Sequence, residues 1–155
     1  MQLRLFTERI MITCTFFGHR DAPWEIKEQV KDAVIDLTTK HGVNTFFVGD
    51  SGAFDRIVKS VLTELMPLYN FDLQVILSRI PTVNDSERYN DGTMYVVPEG
   101  IETALPRFRI DFRNKYMLNA SDYVIAYVER EYGGAFKYYK MAKKRNLTVI
   151  NLAEK

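Results

Sequence analysis

The chain has little of what would commit it to a disulfide framework, a membrane span or a strongly charged surface. Its single cysteine, Cys14, lies in an apolar run, so we expect a small buried residue and no sign of an oxidising compartment. No apolar run reaches the roughly 18–20 residues of a membrane helix, and the charged first ten residues lack a signal-peptide core. We therefore expect a cytoplasmic protein with no membrane partner.

The chain also lacks a large excess of charge of either sign. The formal net charge is +1, from 21 basic and 20 acidic residues. This balance argues against a broad, sequence-independent nucleic-acid surface, although a local basic patch stays open. Nothing in the pattern calls for a metal or a cofactor. Nucleic acid is therefore a less favoured partner than a small molecule, without being excluded.

What is present is an alternation of strand and helix patterns over 155 residues. Buried strands are predicted at 11–17, 43–48, 71–77, 122–128 and 147–152, and helices at 24–40, 53–66, 103–119 and 134–145. This order predicts an α/β, single-domain, Rossmann-like three-layer sandwich, with a mainly parallel five-stranded sheet and helices on both faces. We assign residues 11–155 to this domain and 1–10 to an extension or a segment at the sheet edge.

Residues 82–100 break the alternation. They are polar and contain only a short candidate strand near 94–97. A segment of this length is either a lid over a site or an excursion along the surface, and the pattern does not decide between them.

Three glycine-containing turns follow predicted strands. They are Gly18-His19-Arg20, the segment Gly49–Asp55 with Ser51 and Gly52, and the pair Gly133-Gly134. A strand, a glycine turn and a helix together aim backbone amides at an anion. Because the carboxyl ends of parallel strands share one edge, we expect the three turns to form a pocket for a phosphate-bearing ligand.

Side chains in these turns have two interpretations each. Arg20 pairs with a phosphate and His19 donates to an oxygen, or the turn is an ordinary one with a solvent-facing arginine. Asp55 accepts from a ribose or base, or it stabilises the start of its own helix. Arg109 and Arg113 share a helix face, with Asn114 beside them, and form either part of the site or a solvated surface.

The order of these motifs resembles the SLOG superfamily, which joins the DprA/Smf proteins with the LOG ("lonely guy") family. Gly18-His19-Arg20 corresponds to a Gly-Ser-Arg turn, and Gly49–Asp55 to a reduced Ser-Gly-x-Ala-x-Gly-Ile-Asp turn. Arg113-Asn114-Lys115 followed by Ser121-Asp122 corresponds to an Arg-Asn-Arg segment before a Ser-Asp and a strand. The similarity covers nearly the whole chain from Met11 and is greatest to small stand-alone bacterial or phage members.

The resemblance implies a nucleotide-type ligand. LOG enzymes are phosphoribohydrolases whose arginine matches Arg113, which would then be catalytic. Lys140 stands where their glutamate falls, and an ammonium cannot stabilise positive charge on a ribose. Hydrolysis would therefore require Glu99, Glu129 or Glu131 to substitute.

Three functions follow from the pattern and the resemblance. The first is a module that senses or sequesters a nucleotide, an NAD-derived or an ADP-ribose-type ligand. The second is a phosphoribohydrolase or nucleotide N-glycosidase centred on Arg113, and the third is a DprA-like module for single-stranded DNA. The resemblance also implies a homodimer.

Overall fold

The computed structural model describes residues 10–154, so the predicted extension lies almost entirely outside the described part. Ten regular elements follow in order: β1 Thr13–Gly18, α1 Lys27–His41, β2 Thr45–Val48, α2 Ala53–Tyr69, β3 Asp72–Ile76, β4 Met94–Val96, α3 Arg109–Asn119, β5 Tyr123–Tyr127, α4 Gly134–Lys144 and β6 Thr148–Asn151. Short 3₁₀ turns lie at Trp24–Ile26, Val83–Asp85, Ile101–Thr103 and Pro106–Phe108.

The strands form one parallel sheet in the order β4-β3-β2-β1-β5-β6. Successive side chains of a strand point to opposite faces, which the apolar runs exploit. Phe16 and Phe46 pack with α1 and α2 on one face, whereas Phe17 and Phe47 pack with α3 and α4 on the other. The expected α/β class, Rossmann-like arrangement and helices on both faces are confirmed.

The expected number of strands is wrong, because the structure contains a sixth. The short strand β4 pairs with β3, and the amide of Leu77 donates to the Val96 carbonyl at 2.8 Å. Strand β4 is only three residues long and partly exposed, and it coincides with the short candidate strand near 94–97. Its pairing comes from the edge of β3, a long-range partner that the local pattern does not show.

Three helix boundaries also differ from expectation, and the first is the start of α1, which begins at Lys27 after a 3₁₀ turn instead of at 24. Helix α2 does not end at Pro67 but continues to Tyr69, where Asn70 adopts a left-handed conformation. Helix α3 begins at Arg109, because two 3₁₀ turns replace the predicted first turns. Gly42 follows the last residue of α1 with a left-handed φ of 69°, a conformation that favours glycine at a helix end. None of the described helices has the length and apolar character needed to cross a bilayer.

Strand β1 is the point where the chain reverses its direction across the sheet. From β1 the chain adds β2, β3 and β4 on one side, and it then returns to place β5 and β6 on the other. In open parallel sheets the crevice beyond the carboxyl ends of the strands at such a switch point is where ligands bind. The fold therefore places the candidate site above β1 and β5.

Candidate functional site

A cavity of about 480 Å³ occupies this crevice. Among the predicted site residues, its lining includes Gly18, His19, Arg20, Ser51, Asp55, Arg113, Asn114, Gly133 and Gly134. The three glycine turns, which are far apart in the chain, therefore meet around one volume. Gly49, Gly52 and Arg109 are not part of this lining.

The turn after β1 uses its glycine and its histidine to hold the protein together. A Cβ on Gly18 would lie 2.2 Å from the Phe54 ring, so the missing side chain makes room for α2. The Nε2 atom of buried His19 accepts the amides of Glu129 at 3.0 Å and Arg130 at 3.3 Å. His19 therefore does not donate from Nε2, and it fixes the loop that leads to α4.

Burial lowers the pKa of His19, and the nearby Arg130 guanidinium lowers it further, against Asp21 and Glu129. A neutral imidazole is what two incoming amides require. Arg20, in contrast, is exposed and forms no ion pair with another described residue. It is the member of this turn whose charge is available to a ligand.

The turn after β2 is closed by contacts of its own chain. The amide of Ser51 donates to Asp55 Oδ2 at 2.9 Å, and the amide of Ala53 donates to the Arg20 carbonyl at 2.8 Å. A Cβ on Gly52, whose φ is 92°, would lie 2.8 Å from the Arg20 Cα. The structure thus shows the contact expected if Asp55 stabilises the start of its own helix.

The turn before α4 is open. A Cβ on Gly133 or Gly134 would meet nothing within 4 Å. Within residues 10–154 the amides of Gly134 and Ala135 have no hydrogen-bond partner, and α4 has no side-chain cap. This helix N-terminus therefore presents unpaired donors to the cavity, which is the arrangement that binds anions.

Arg113 reaches the cavity from α3 and is the centre of a charged cluster. Its side chain is 3% exposed, and its Nη1 lies 2.7 Å from Asp50 Oδ1. Its Nε donates to Asn114 Oδ1 at 2.9 Å. A Cβ on Gly49 would lie 2.8 Å from the Arg113 guanidinium carbon, so Gly49 serves this cluster instead of a ligand.

Asp55 belongs to the same cluster. Burial raises its pKa to about 6, with a further contribution from the charge of Asp50, while Arg113, the Ser51 amide and Arg20 act in the opposite direction. A carboxyl with a pKa near neutrality in a cavity is characteristic of functional sites, although structural ion pairs also produce it. Burial thus favours the neutral form of this carboxyl group, against the attraction of the Arg113 charge.

Arg109, predicted to share the site with Arg113, points elsewhere. Its Nε donates to the carbonyl of Ala104 at 3.3 Å. The two arginines are four residues apart on one helix, but the Arg109 side chain is hydrogen-bonded to the short turns before α3. Of the two, Arg113 alone faces the cavity.

Sequence reasoning missed an ion pair and an aromatic side chain at the cavity mouth. Both terminal guanidinium nitrogens of Arg130 contact Asp21, at 2.7 and 2.8 Å, and the Nε of Arg130 is buried without a hydrogen-bond partner among residues 10–154. Tyr132, 69% exposed, lies beside Arg130. Arg130 and Tyr132 lie directly before Gly133 in the sequence, and this proximity could have predicted their place at the cavity mouth. Apolar lining comes from Phe17, Ile110 and Met117.

Of the residues tied to LOG-type hydrolysis, Arg113 lines the cavity, whereas Lys140 and the three candidate glutamates do not. The Nζ of Lys140 lies 5.3 Å from the Phe136 ring centroid, and both residues line a different cavity. None of Glu99, Glu129 and Glu131 lines the cavity. The acidic residues that do line it are Asp21 and Asp55, and no cluster of three potential metal-binding side chains occurs within the described range.

The fold and the cavity define a Rossmann-like α/β protein with a crevice lined by arginines and aspartates at the switch point of a parallel sheet. Its fold is similar to that of DNA processing protein A from Helicobacter pylori, a structure solved to explain a single-stranded DNA binding mode. The TM-score is 0.55 and the sequence identity 15%. The similarity covers 89% of this chain and 63% of that chain, and at this identity it shows the fold alone. No protein-family model and no curated protein matches the chain.

Proposed function

We propose that the cavity binds a nucleotide-type ligand and that the protein senses or sequesters this ligand as a small SLOG-like module. The observation that carries the proposal is the open N-terminus of α4. Its unpaired amides face the cavity, and Arg20 and Arg113 line the same volume. A phosphate at that point would accept from the amides and neutralise the exposed guanidinium of Arg20.

The rest of the lining suits the remainder of a nucleotide. Tyr132 at the mouth and the apolar side chains of Phe17, Ile110 and Met117 offer surfaces to a base. Asp55 also lines the cavity, where a ribose hydroxyl could donate to it. Among the described residues, the Ser51 amide is the one group that donates to the Asp55 carboxylate. Nucleoside phosphates, NAD-derived and ADP-ribose-type compounds all have this combination of groups.

Isothermal titration with a panel of these compounds tests the proposal. We expect saturable binding that falls about tenfold in Arg20→Gln, because a charge-assisted contact is lost. Arg107→Gln is the matched control, since Arg107 is exposed, lies over Phe108 and does not line the cavity. No binding by the wild type at millimolar ligand, or an equal loss in both variants, would rule the proposal out.

Gly134→Ala provides a second arm that does not alter charge. Gly134 has no positive φ and has open space in front of it, so an alanine there should leave the free energy of unfolding nearly unchanged. Its methyl group would occupy the space beside the free amides. We therefore expect weaker ligand binding without destabilisation. Unchanged binding would show that the phosphate does not bind at the N-terminus of α4.

A second candidate is a module for single-stranded DNA. It is supported by the fold similarity to DNA processing protein A and by the lysines of α4, which are Lys137, Lys140, Lys143 and Lys144. Fluorescence anisotropy of a labelled oligothymidine at about 50 and about 200 mM salt tests it. Strand binding through several phosphates should weaken steeply with salt, whereas a single nucleotide should respond weakly.

A phosphoribohydrolase is the third candidate, and its support is Asp55. A carboxyl group with a pKa of about 6 beside Arg113 has the properties of a general acid. Release of free base from nucleoside monophosphates, lost in Asp55→Asn with ligand binding retained, would establish turnover. Ligand binding without release of free base would instead support the binding module.

A further inference from the structure

A second cavity of about 240 Å³ adjoins the first. It lies between α2, the ends of β3 and β4 and the 82–95 segment, and Asp55 lines both cavities. The Gly49–Ser51 turn separates the two volumes, with Ser51 on one side and Gly49 on the other. A ligand that occupies both cavities must extend over this turn, next to the Asp55 that lines both of them.

Two of the cations that line the second cavity lack acidic partners among the described residues. Arg56 and Arg88 are both exposed, and neither forms an ion pair with any residue in the described range. Lys59 is different, because its Nζ contacts Asp91 at 3.2 Å and the Tyr95 hydroxyl at 2.7 Å. The two guanidinium groups therefore provide a charge excess that residues 10–154 do not neutralise.

The 82–95 segment is held by one contact to the loop after β3 and by another to α2. Arg79 Nη2 lies 2.8 Å from Asp85 Oδ1, and the other oxygen of Asp85 accepts the Thr82 amide at 2.7 Å. At the other end Asp91 accepts from Lys59 and Tyr95. Both ends of the segment are thus tied to the folded structure, and Arg88 and Tyr89 lie between the ties.

Aromatic surface accompanies the charge. The rings of Tyr89 and Tyr95 are 4.8 Å apart between centroids, and the Arg88 guanidinium lies 5.5 Å from the Tyr89 centroid. Aromatic side chains with arginines are the combination that binds a nucleoside by stacking and its phosphate by charge. Two acids also line this cavity, but Asp50 is paired with Arg113 and Asp55 shares that cluster.

We propose that this second cavity is a subsite for the second phosphate and nucleoside of a two-nucleotide ligand whose first unit occupies the cavity above β1 and β5. The inference rests on the proposed function and extends it from a mononucleotide to a dinucleotide-type unit. Arg56 and Arg88 contact the second phosphate. Tyr89 provides the surface for the second base.

The test compares 5′-phosphorylated dinucleotides with the matching 5′-mononucleotides by isothermal titration. In the wild type we expect the dinucleotide to bind about tenfold more tightly, because it adds a charge-assisted contact. The double variant Arg56→Ala/Arg88→Ala should lose this advantage and keep its affinity for the mononucleotide. Arg107→Ala is the control and should leave both affinities unchanged, with thermal unfolding checking that all variants fold.

The outcomes separate this inference from the proposed function. Mononucleotide binding with no dinucleotide advantage, or an advantage that survives in the double variant, overturns the second subsite alone. If the wild type binds neither the mononucleotide nor the dinucleotide, the second subsite is overturned, and the proposed function is overturned with it if the NAD-derived and ADP-ribose-type compounds of the panel also fail to bind. A ten-nucleotide single strand identifies the source of the ligand: tighter binding than the dinucleotide indicates a strand, equal binding a free dinucleotide, and either result supports the subsite.

Discussion

Arg113 carries its charge in the protein interior, so its role at the site cannot be separated from its role in stability. Its guanidinium is held by Asp50, Asn114 and the Ile76 carbonyl. Removing one partner of a buried ion pair leaves the other charge desolvated and unpaired. A loss of activity in an Arg113 variant would therefore not by itself show that Arg113 contacts a ligand.

We predict that Arg113→Ala lowers the free energy of unfolding by about 3 kcal/mol. Arg109→Ala is the matched control, because Arg109 is only partly buried and has one long contact to Ala104. It should change stability by about 0.5 kcal/mol or less. Urea unfolding followed by circular dichroism measures both, and equal losses would contradict a buried role for Arg113.

His19 makes the loop before α4 sensitive to pH. Its pKa is lowered in the folded state, so the unfolded chain takes up the proton first as the pH falls. Stability contributed by neutral His19 is therefore present above the ordinary pKa of about 6.5 and is lost as the pH drops towards the lowered value. Asp55 acts in the opposite direction, since its pKa is raised.

Because these two effects oppose each other, a local measurement is needed for His19. We predict that hydrogen-exchange protection of the Glu129 and Arg130 amides falls as the pH drops below about 6.5 towards the lowered pKa of His19, because the protonated imidazole can no longer accept them. The Ile125 amide, inside β5, is the internal control and should keep its protection. Constant protection at Glu129 and Arg130 over this range would contradict the prediction.

At the scale of elements, three strand-to-helix turns with similar sequences perform different tasks. Gly18 makes room for Phe54, and Gly52 makes room for Arg20, so these turns seal β1 against α2. Only the turn before α4 keeps its glycines open to the cavity. Glycine alone does not distinguish a packing position from a ligand position, because both need the absence of a Cβ.

We predict that Gly18→Ala destabilises the protein by about 2 kcal/mol, because the new methyl group overlaps the Phe54 ring. In a Phe54→Leu background the same substitution should cost clearly less, and a double-mutant cycle measures the difference. Gly134→Ala, which adds the same methyl group in open space, is the control. An equal cost of Gly18→Ala in the wild-type and Phe54→Leu backgrounds would show that the contact with Phe54 does not explain the glycine.

At the scale of the whole molecule, the cavity joins the end of β1, the start of α2, α3, the loop after β5 and the start of α4. A ligand bound there contacts parts of the chain more than 100 positions apart, such as Arg20 and Gly134. Its binding energy should therefore stabilise the entire sheet instead of a single loop. The homodimer implied by the resemblance stays a prediction, which sedimentation can examine.

We predict that a ligand at one hundred times its dissociation constant raises the free energy of unfolding by about 2.7 kcal/mol. Urea midpoints from circular dichroism and from fluorescence of Trp24, which lies far along the chain from α4, should shift together. Slower hydrogen exchange at Ile150 in β6 would show that stabilisation reaches the sheet edge. A shift in only one probe would indicate local binding and contradict the coupling.

The sequence by itself determined the layers of the fold. Apolar β-branched and aromatic runs such as 13–18 can be buried only in a strand covered on both faces, and helical spacing over Val30, Val34 and Leu37 requires a helix against that sheet. Alternation of the two then implies parallel strands, whose carboxyl ends must share one edge. The meeting of the glycine turns follows from this geometry.

Tertiary structure alone decided which residues at that edge remain available. Whether Arg109 or Arg113 faces the cavity, whether Gly18 borders a ring or open space, and whether His19 donates or accepts all depend on partners distant in the chain. Strand β4 and the second cavity likewise depend on the edge of β3 and the anchoring of residues 82–95. Local pattern records which groups a segment offers, whereas packing determines which of them are already bonded within the protein.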